Sequence, residues 1–519
     1  MEPTIERQTS HPTAINLIPV SVPDELAIPN EKEFDSQDET SPPELKYELV
    51  TWNGNDDPEN PQNWPEHSKI LRSSAPLSIV FCIAFASSIF GSSASVTASE
   101  YGVSVEIMSL GVALFIAGFA VGPLLFAPMA ELMGSAVVLV VSLIGCAIFQ
   151  IPLALARNVA TILICRFLAG TFGAGGLAVG SGILADVFGP ITRGAAVGVA
   201  ATTMNFGSIV GPIAGAFIVD QIGWRWTAWV TLMLFGAVSI LCIFLLKESS
   251  HNRILMQRAA RLRRETGNNN LRASAEMISQ DPVVLFQKYF TKPVRMFCQE
   301  PILIVITIYL TLVYGSLYLS YQLFPKAFEK RGWSTSIASL PFIAVGLGLL
   351  SACGIFALFT MTWYKRRWVA AHRSIGEESE KSEPGIGIQP EDRLPPMILG
   401  AVLLPPSLIW FGWSGGAPWI VQVIPCFFIG FSLQIIFVSG IVYIVDVYLT
   451  NTVSAISIHV MVRSLVSATF PMFEGPMYDT LNIDYSATLL AGLSALIMVS
   501  PILLRIYGPR IRSLSRFSG

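Results

Sequence analysis

Twelve runs of mostly apolar residues, each near the length of one bilayer crossing, divide most of the 519-residue chain. Lipid offers no hydrogen-bond partners, so a backbone that crosses it must do so as helix, with about 20 apolar residues per pass. The runs fall near 73–95, 108–130, 136–156, 159–185, 194–219 and 226–246, then near 301–324, 335–363, 396–413, 418–445, 453–476 and 486–506. Only 13% of residues are charged, half the roughly 25% usual in soluble domains, and the mean hydropathy is +0.57. The fold class that follows is all-α and integral to a membrane, arranged as two bundles of six helices.

The polar segments set the domain plan. Residues 1–70 hold 15 of the 36 acidic residues against four Lys or Arg, with acidic runs such as Asp35 to Glu39. That composition buries too little apolar surface to offset ordering, so a disordered acidic tail is expected there. A first bundle at 71–247 and a second at 300–506 would be joined by a linker at 248–299, with a basic tail at 507–519. The linker carries Arg258, Arg261, Arg263 and Arg264, the loop after Tyr364 carries Lys365, Arg366, Arg367 and Arg373, and the tail carries Arg505, Arg510, Arg512 and Arg516. These agree in phase, and the positive-inside rule places them and both termini in the cytoplasm. Lys326, Lys330 and Arg331 run against that assignment. From Arg253 to Arg264 arginines alternate with Ile254, Leu255, Met256 and Leu262, a pattern suited either to a helix at the inner membrane surface or to a solvated linker helix.

Net charge is only −3, which gives no basic field for nucleic acid. The seven cysteines are scattered, without the spacing of a metal knuckle. No phosphate-binding loop, HExxH or GxSxG sequence is present, so no metal, cofactor or enzymatic chemistry is expected, and transport would be secondary or facilitated rather than driven by nucleotide hydrolysis.

Polar and small residues inside the runs carry the mechanism. Arg166 lies within span four, where a cation costs about 3 kcal/mol unless it faces a cavity or a partner; Arg463 in span eleven reads the same way, nearer a helix end. Gly207, Gly211 and Gly215 with Pro212 form a small-residue stripe on span five, suited to close helix approach or to a hinge. Tyr314, Tyr318, Tyr321 and Gln322 share a face of span seven, either a cavity wall or an interfacial belt. Asn205 and Gln434 lie deep enough to face a cavity, while Gln422 and His459 are further polar residues in spans. Acidic residues cluster at span ends, with Glu474 and Glu100 the best candidates to carry a proton. Span four ends in Ile183 to Phe188 and span ten in Tyr443 to Tyr448, each containing an Asp (Asp186 and Asp446), with Pro212 and Pro471 about 25 residues later: an internal echo of duplication.

These residues resemble the major facilitator superfamily, specifically the fungal twelve-span drug:proton antiporters that export drugs, polyamines and secondary metabolites. The resemblance rests on GSIVGPIAG at Gly207 to Gly215, RFLAG at Arg166 to Gly170, WNGNDDPENPQNW at Trp52 to Trp64, GWRW at Gly223 to Trp226, RGWS from Arg331, RLPP at Arg393 to Pro396, and Tyr443 to Asp446. It implies a multi-pass plasma-membrane transporter, working as a monomer in lipid, with a central cavity and alternating access. It further implies Arg166 as the proton-coupling arginine and Gly211 with Pro212 as the hinge and seal of span five. Two departures stand out. After Glu131 and Gly134 the usual arginines are replaced by Ser135 and Ala136, and span seven has Gln322 where relatives commonly have Glu, which disfavours a cationic substrate such as a polyamine. The expected function is proton-coupled efflux of a hydrophobic or amphipathic small molecule held near Tyr314, Tyr318, Gln322, Asn205 and Gln434, with Glu131, Asp186, Asp446 and Arg463 at the gates. The same architecture would also serve proton-linked or facilitated uptake, and the altered loop at Ser135 leaves room for a non-transporting receptor.

Overall fold

A computed structural model describes residues 17–19, 48–54, 56–277, 284, 287–367, 369, 389–513, 515 and 517. The acidic run Asp35 to Glu39, Arg373 and Arg516 lie outside the described residues. Spans one to six are Glu66–Ile89, Val105–Met133, Ser135–Ala154, Val159–Val187, Pro190–Ile222 and Arg225–Leu245. Spans seven to ten are Pro301–Glu329, Phe342–Phe359 with its continuation Thr360–Tyr364, Leu394–Trp413 and Trp419–Val447.

Eleven helical stretches are long and apolar enough to cross a membrane, and the last, Thr452–Arg512, runs for 61 residues. That length is two crossings. The chain breaks at Asn482, whose φ of 57° and ψ of 173° no helix tolerates. Beyond the break it returns antiparallel to span nine: Trp413, at one end of span nine, donates to Thr488, and Glu391, just before its other end, meets Arg512. Residues 452–481 and 483–512 are therefore spans eleven and twelve.

Outward faces present Ile144, Ile148, Ile243, Phe244 and Leu496, exposed and apolar as lipid contact requires. Inward faces pack through small residues. A methyl group at Gly118 of span two would sit 2.5 Å from the Thr171 backbone nitrogen of span four. On span five, methyls at Gly207 and Gly215 would lie 2.5 and 2.7 Å from the carbonyls of Phe81 and Ile89, so the glycine stripe is where span five lies backbone-to-backbone on span one. Ser92 donates to the Pro212 carbonyl across the same contact.

One side of the molecule carries the linker, and here composition alone misleads. Residues 48–54 and 56–64, acidic and polar, are built into the structure. Glu48–Val50 (β2) pairs antiparallel with Leu17–Pro19 (β1) and parallel with Leu271–Arg272 (β3). Val50, Leu271 and Ala273 cover Leu255, Met256, Ala259 and Leu262 of the linker helix His251–Thr266. The apolar stripe read as a membrane-surface face is thus covered by the chain itself, and Arg258 and Arg261 meet Asp57 and Glu59 of the segment before span one.

Candidate functional site

Span one stops being α-helical at Ile89 and turns through Phe90–Ser93. A helix end leaves its last carbonyls without intrahelical partners. Arg166 of span four, 1% exposed, supplies them: its guanidinium donates to the carbonyls of Ala86 (2.6 Å) and Ser87 (2.7 Å), and to Gly111 of span two (3.0 Å). The rings of Phe115 and Phe90 cover it at 4.4 and 5.0 Å. Among the described residues no carboxylate lies within ion-pair reach of Arg166. The partner that a buried cation requires is supplied by three carbonyl dipoles.

From this anchor a line of hydroxyls crosses to the other half of the chain. Ser87 Oγ lies 3.3 Å from the Tyr318 hydroxyl, which lies 3.3 Å from that of Tyr314, its neighbour one turn away on span seven. The Tyr314 ring stacks with Phe437 of span ten, and the Arg463 guanidinium sits 4.2 Å from the first ring centre and 5.1 Å from the second. Arg463 is 3% exposed. It lies one turn before the end of the first helical segment of span eleven, Thr452–Ser467, packed on two rings that line the interior.

Beside this line, Asn205 Nδ2 of span five donates to Gln434 Oε1 of span ten at 2.6 Å, and Gln434 Nε2 donates to Thr202 at 2.8 Å. Asn205, Tyr314, Gln434 and Phe437, with Ile209 and Val345, line a chamber of about 10 Å³, the room of one water. Sequence reading therefore places Asn205, Tyr314 and Gln434 at one chamber, and Tyr318 beside it. The cavity itself is closed in this state. Ser87 and Phe437 were missed: one serine among several and one phenylalanine among 31 give no signal without the fold.

Gln322 lies two turns farther along span seven. Its backbone N–H, rather than its side chain, meets Glu474 Oε1 at 3.1 Å, and Glu474 is 2% exposed. The carboxylate missing from position 322 is thus brought there from span eleven. Glu100, by contrast, lies away from the chamber at the end opposite the linker, accepting from Arg225 (2.7 Å) and Trp224.

At that far end Ser336, in the turn before span eight, donates to Asp220 of span five. The far-side cations that broke the charge pattern are engaged: Arg331 donates to Gln422 and to the carbonyls of Ala417 and Ser414, and Lys326 is 3.8 Å from Asp479. Gln422 therefore belongs to this end. His459 lies against Thr307 within the second half, its Nδ1 3.3 Å from the hydroxyl.

At the linker end the two echoed aspartates close similar positions. Asp446 accepts from Arg393 (2.9 Å), which also lies 3.4 Å from the centre of the Tyr364 ring. Asp186 faces His251 at 3.9 Å, and burial, with Arg193 nearby, lowers the His251 imidazole pKa. The loop lacking its arginines is held from the linker instead. Lys288 reaches Glu131 at 2.7 Å. Glu248 accepts from the N–H groups of Ser135 and Ala136 at the start of span three, and from those of Ser249 and Ser250 before the linker helix. A carboxylate at two helix starts is favoured by both dipoles.

Residues 77–471 match the Major Facilitator Superfamily family model. The chain is 41% identical to an ascochitine biosynthesis cluster MFS transporter of Didymella fabae, over 92% of this chain and 90% of that one. It is 40% identical to a citrinin biosynthesis cluster MFS transporter of Monascus ruber, over 91% and 92%. Among solved structures, a proton:xylose symporter with bound 6-bromo-6-deoxy-D-glucose superposes with a TM-score of 0.60 at 15% identity, covering 87% of this chain and all of that one.

Proposed function

Because the chain belongs to the major facilitator superfamily, a family of membrane transporters and not of enzymes, we propose that it exports a hydrophobic or amphipathic small molecule in exchange for protons, by alternating access at the Tyr314 chamber. The observation that carries this reading is the hydroxyl line between the halves. Ser87 and Tyr318 connect spans one and seven through one contact of 3.3 Å, worth about 1 kcal/mol, and Tyr318 extends it to Tyr314 within span seven. With the Asn205–Gln434 pair it makes a centre held by a few hydrogen bonds, which can part and re-form as the halves rock. The ends differ: at the far end Asp220 of the first half meets Ser336 of the second, whereas at the linker end Glu131 meets Lys288 of the linker and Asp446 meets Arg393 within the second half.

Glu474 is the carboxylate proposed to carry the proton. It is buried at membrane depth, where its Oε1 accepts the Gln322 backbone N–H and gain or loss of a proton would alter the local charge. Arg166 holds the end of span one, from which Ser87 reaches Tyr318 beside the chamber. The basic segments support termini and linker in the cytoplasm, the relatives named for biosynthetic clusters support export across the plasma membrane, and the protein is proposed to act as a monomer in lipid.

The test uses purified protein in liposomes with an acidic interior and three fluorescent probes sharing one ring system: dansylglycine, dansylamide and dansylcadaverine. Accumulation of at least one that collapses with a protonophore is expected. Accumulation unaffected by the gradient, or none for any probe, removes the antiport reading.

A further inference from the structure

Charge at the central chamber is one-sided. Arg463, buried at membrane depth, packs on two of its lining rings, Arg166 reaches it through Ser87 and Tyr318, and no carboxylate lines it among the described residues. The deep acid, Glu474, meets span seven at Gln322, eight residues or about 12 Å along the helix from Tyr314.

The two arginines are not equivalent. Arg166 has three carbonyl acceptors. Arg463 has no hydrogen bond or ion pair to any described residue, and its Nε is buried without a partner. Its contacts are the faces of Tyr314 and Phe437, both of which line the chamber. Cation–π attraction is worth about 2 kcal/mol when desolvated, whereas an unpaired buried cation costs several kcal/mol. The imbalance marks a site built to receive a counter-charge. A guanidinium presents paired N–H donors that match the two oxygens of a carboxylate.

The surrounding groups describe the rest of the occupant. Tyr314 and Phe437 stack at 6.1 Å and 22°, forming an aromatic wall, and Val345, Leu349 and Leu433 make the opposite side apolar. Asn205 Oδ1, buried with no partner, is a free acceptor for a hydroxyl.

We infer that the cargo is an organic anion, an amphipathic aromatic carboxylate whose carboxylate docks on Arg463 between Tyr314 and Phe437. This rests on reading the chamber as the transport site. At about 10 Å³ the chamber is too small for such a molecule, so the acid enters when the halves part. A cation meets two arginines there, and a neutral ester leaves Arg463 unpaired.

Binding is measured on detergent-purified protein, without transport, by the fluorescence of dansylglycine, its methyl ester and dansylcadaverine. The acid is expected to bind at least tenfold more tightly than the ester or the amine. Arg463→Gln should erase that preference while leaving ester binding and the elution profile unchanged; Arg463→Lys should keep part of it. Gln434→Glu, which brings a carboxylate to the chamber at nearly constant volume, should weaken the acid selectively. Equal binding of the three probes, no binding of the acid, or a full preference retained in Arg463→Gln overturns the inference. A protein that binds the acid selectively yet moves no probe in liposomes refutes antiport and leaves the anion site standing.

Discussion

Arg258 of the linker helix donates to Asp57 at 2.6 Å across 201 residues of sequence, and both side chains are nearly buried. Burial alone would raise the Asp57 carboxyl, but the Arg258 hydrogen bond and the N–H groups of Asn53 and Glu59 together lower its pKa below the ordinary value. A lowered folded pKa adds stability that is fully present above the unfolded pKa of about 3.9 and is lost as pH falls through the folded one. Hydrogen-exchange protection factors of residues 48–54 and 56–64, corrected for the intrinsic rate, should therefore be high at neutral pH and fall below about pH 4. Asp57→Asn, which strands Arg258, should loosen the same segment at neutral pH by about 3 kcal/mol. Slow exchange in Asp57→Asn would show that Val50 and β2 hold the segment without the ion pair.

At Gly211 the space for a side chain is already taken by Ser88 and by the Ile89 backbone nitrogen, the latter 3.0 Å from where a methyl would stand. Gly182 on span four meets nothing within 4 Å. Gly211→Ala should lower the melting temperature by the equivalent of about 1–3 kcal/mol of overpacking and slow transport, while Gly182→Ala should change neither. Equal effects would mean that spans one and five separate at little cost.

The three carbonyls around Arg166 separate anchoring from coupling. A lysine there keeps the charge but cannot reach three acceptors in one plane. Arg166→Lys should therefore reduce thermal stability as well as transport, and Arg166→Ala should reduce both further. Tyr318→Phe removes only the hydroxyl between Ser87 and Tyr314, so it should cost about 1 kcal/mol and alter transport rate more than protein abundance. If Arg166→Ala exports as fast as the parent, Arg166 has no role in coupling.

Several of these features were legible in the residues. Crossing helices follow from lipid's lack of hydrogen-bond partners, which is why the spans match, and Asn205 and Gln434 stood out because amides at membrane depth need a partner. Other features depend on tertiary context. Residues 48–64 read as solvated because their partners, Arg258 and the Leu255 to Leu262 stripe, lie some 200 positions away. Glu131 looked stripped of cations because Lys288 comes from a different segment. Glu100 and Glu474 looked alike in sequence, and only folding ties one to Arg225 and brings the other to the backbone of Gln322.

The Asn205–Gln434 pair joins spans five and ten across the chamber and offers a test of whether its polarity serves stability or recognition. Truncating one partner, as in Gln434→Leu, leaves the Asn205 amide buried and unpaired, which should cost about 1–3 kcal/mol. Replacing both, Asn205→Leu with Gln434→Leu, removes the stranded group, so the double variant should recover most of that loss, a non-additivity readable by thermal unfolding in detergent. Thr202, which accepts from Gln434, has a hydroxyl that also bonds the Gly198 carbonyl, so it is not left stranded. If the double variant is stable but binds dansylglycine more weakly, the amides belong to cargo recognition; if stability falls additively, they hold the two halves together and the chamber's polarity is structural.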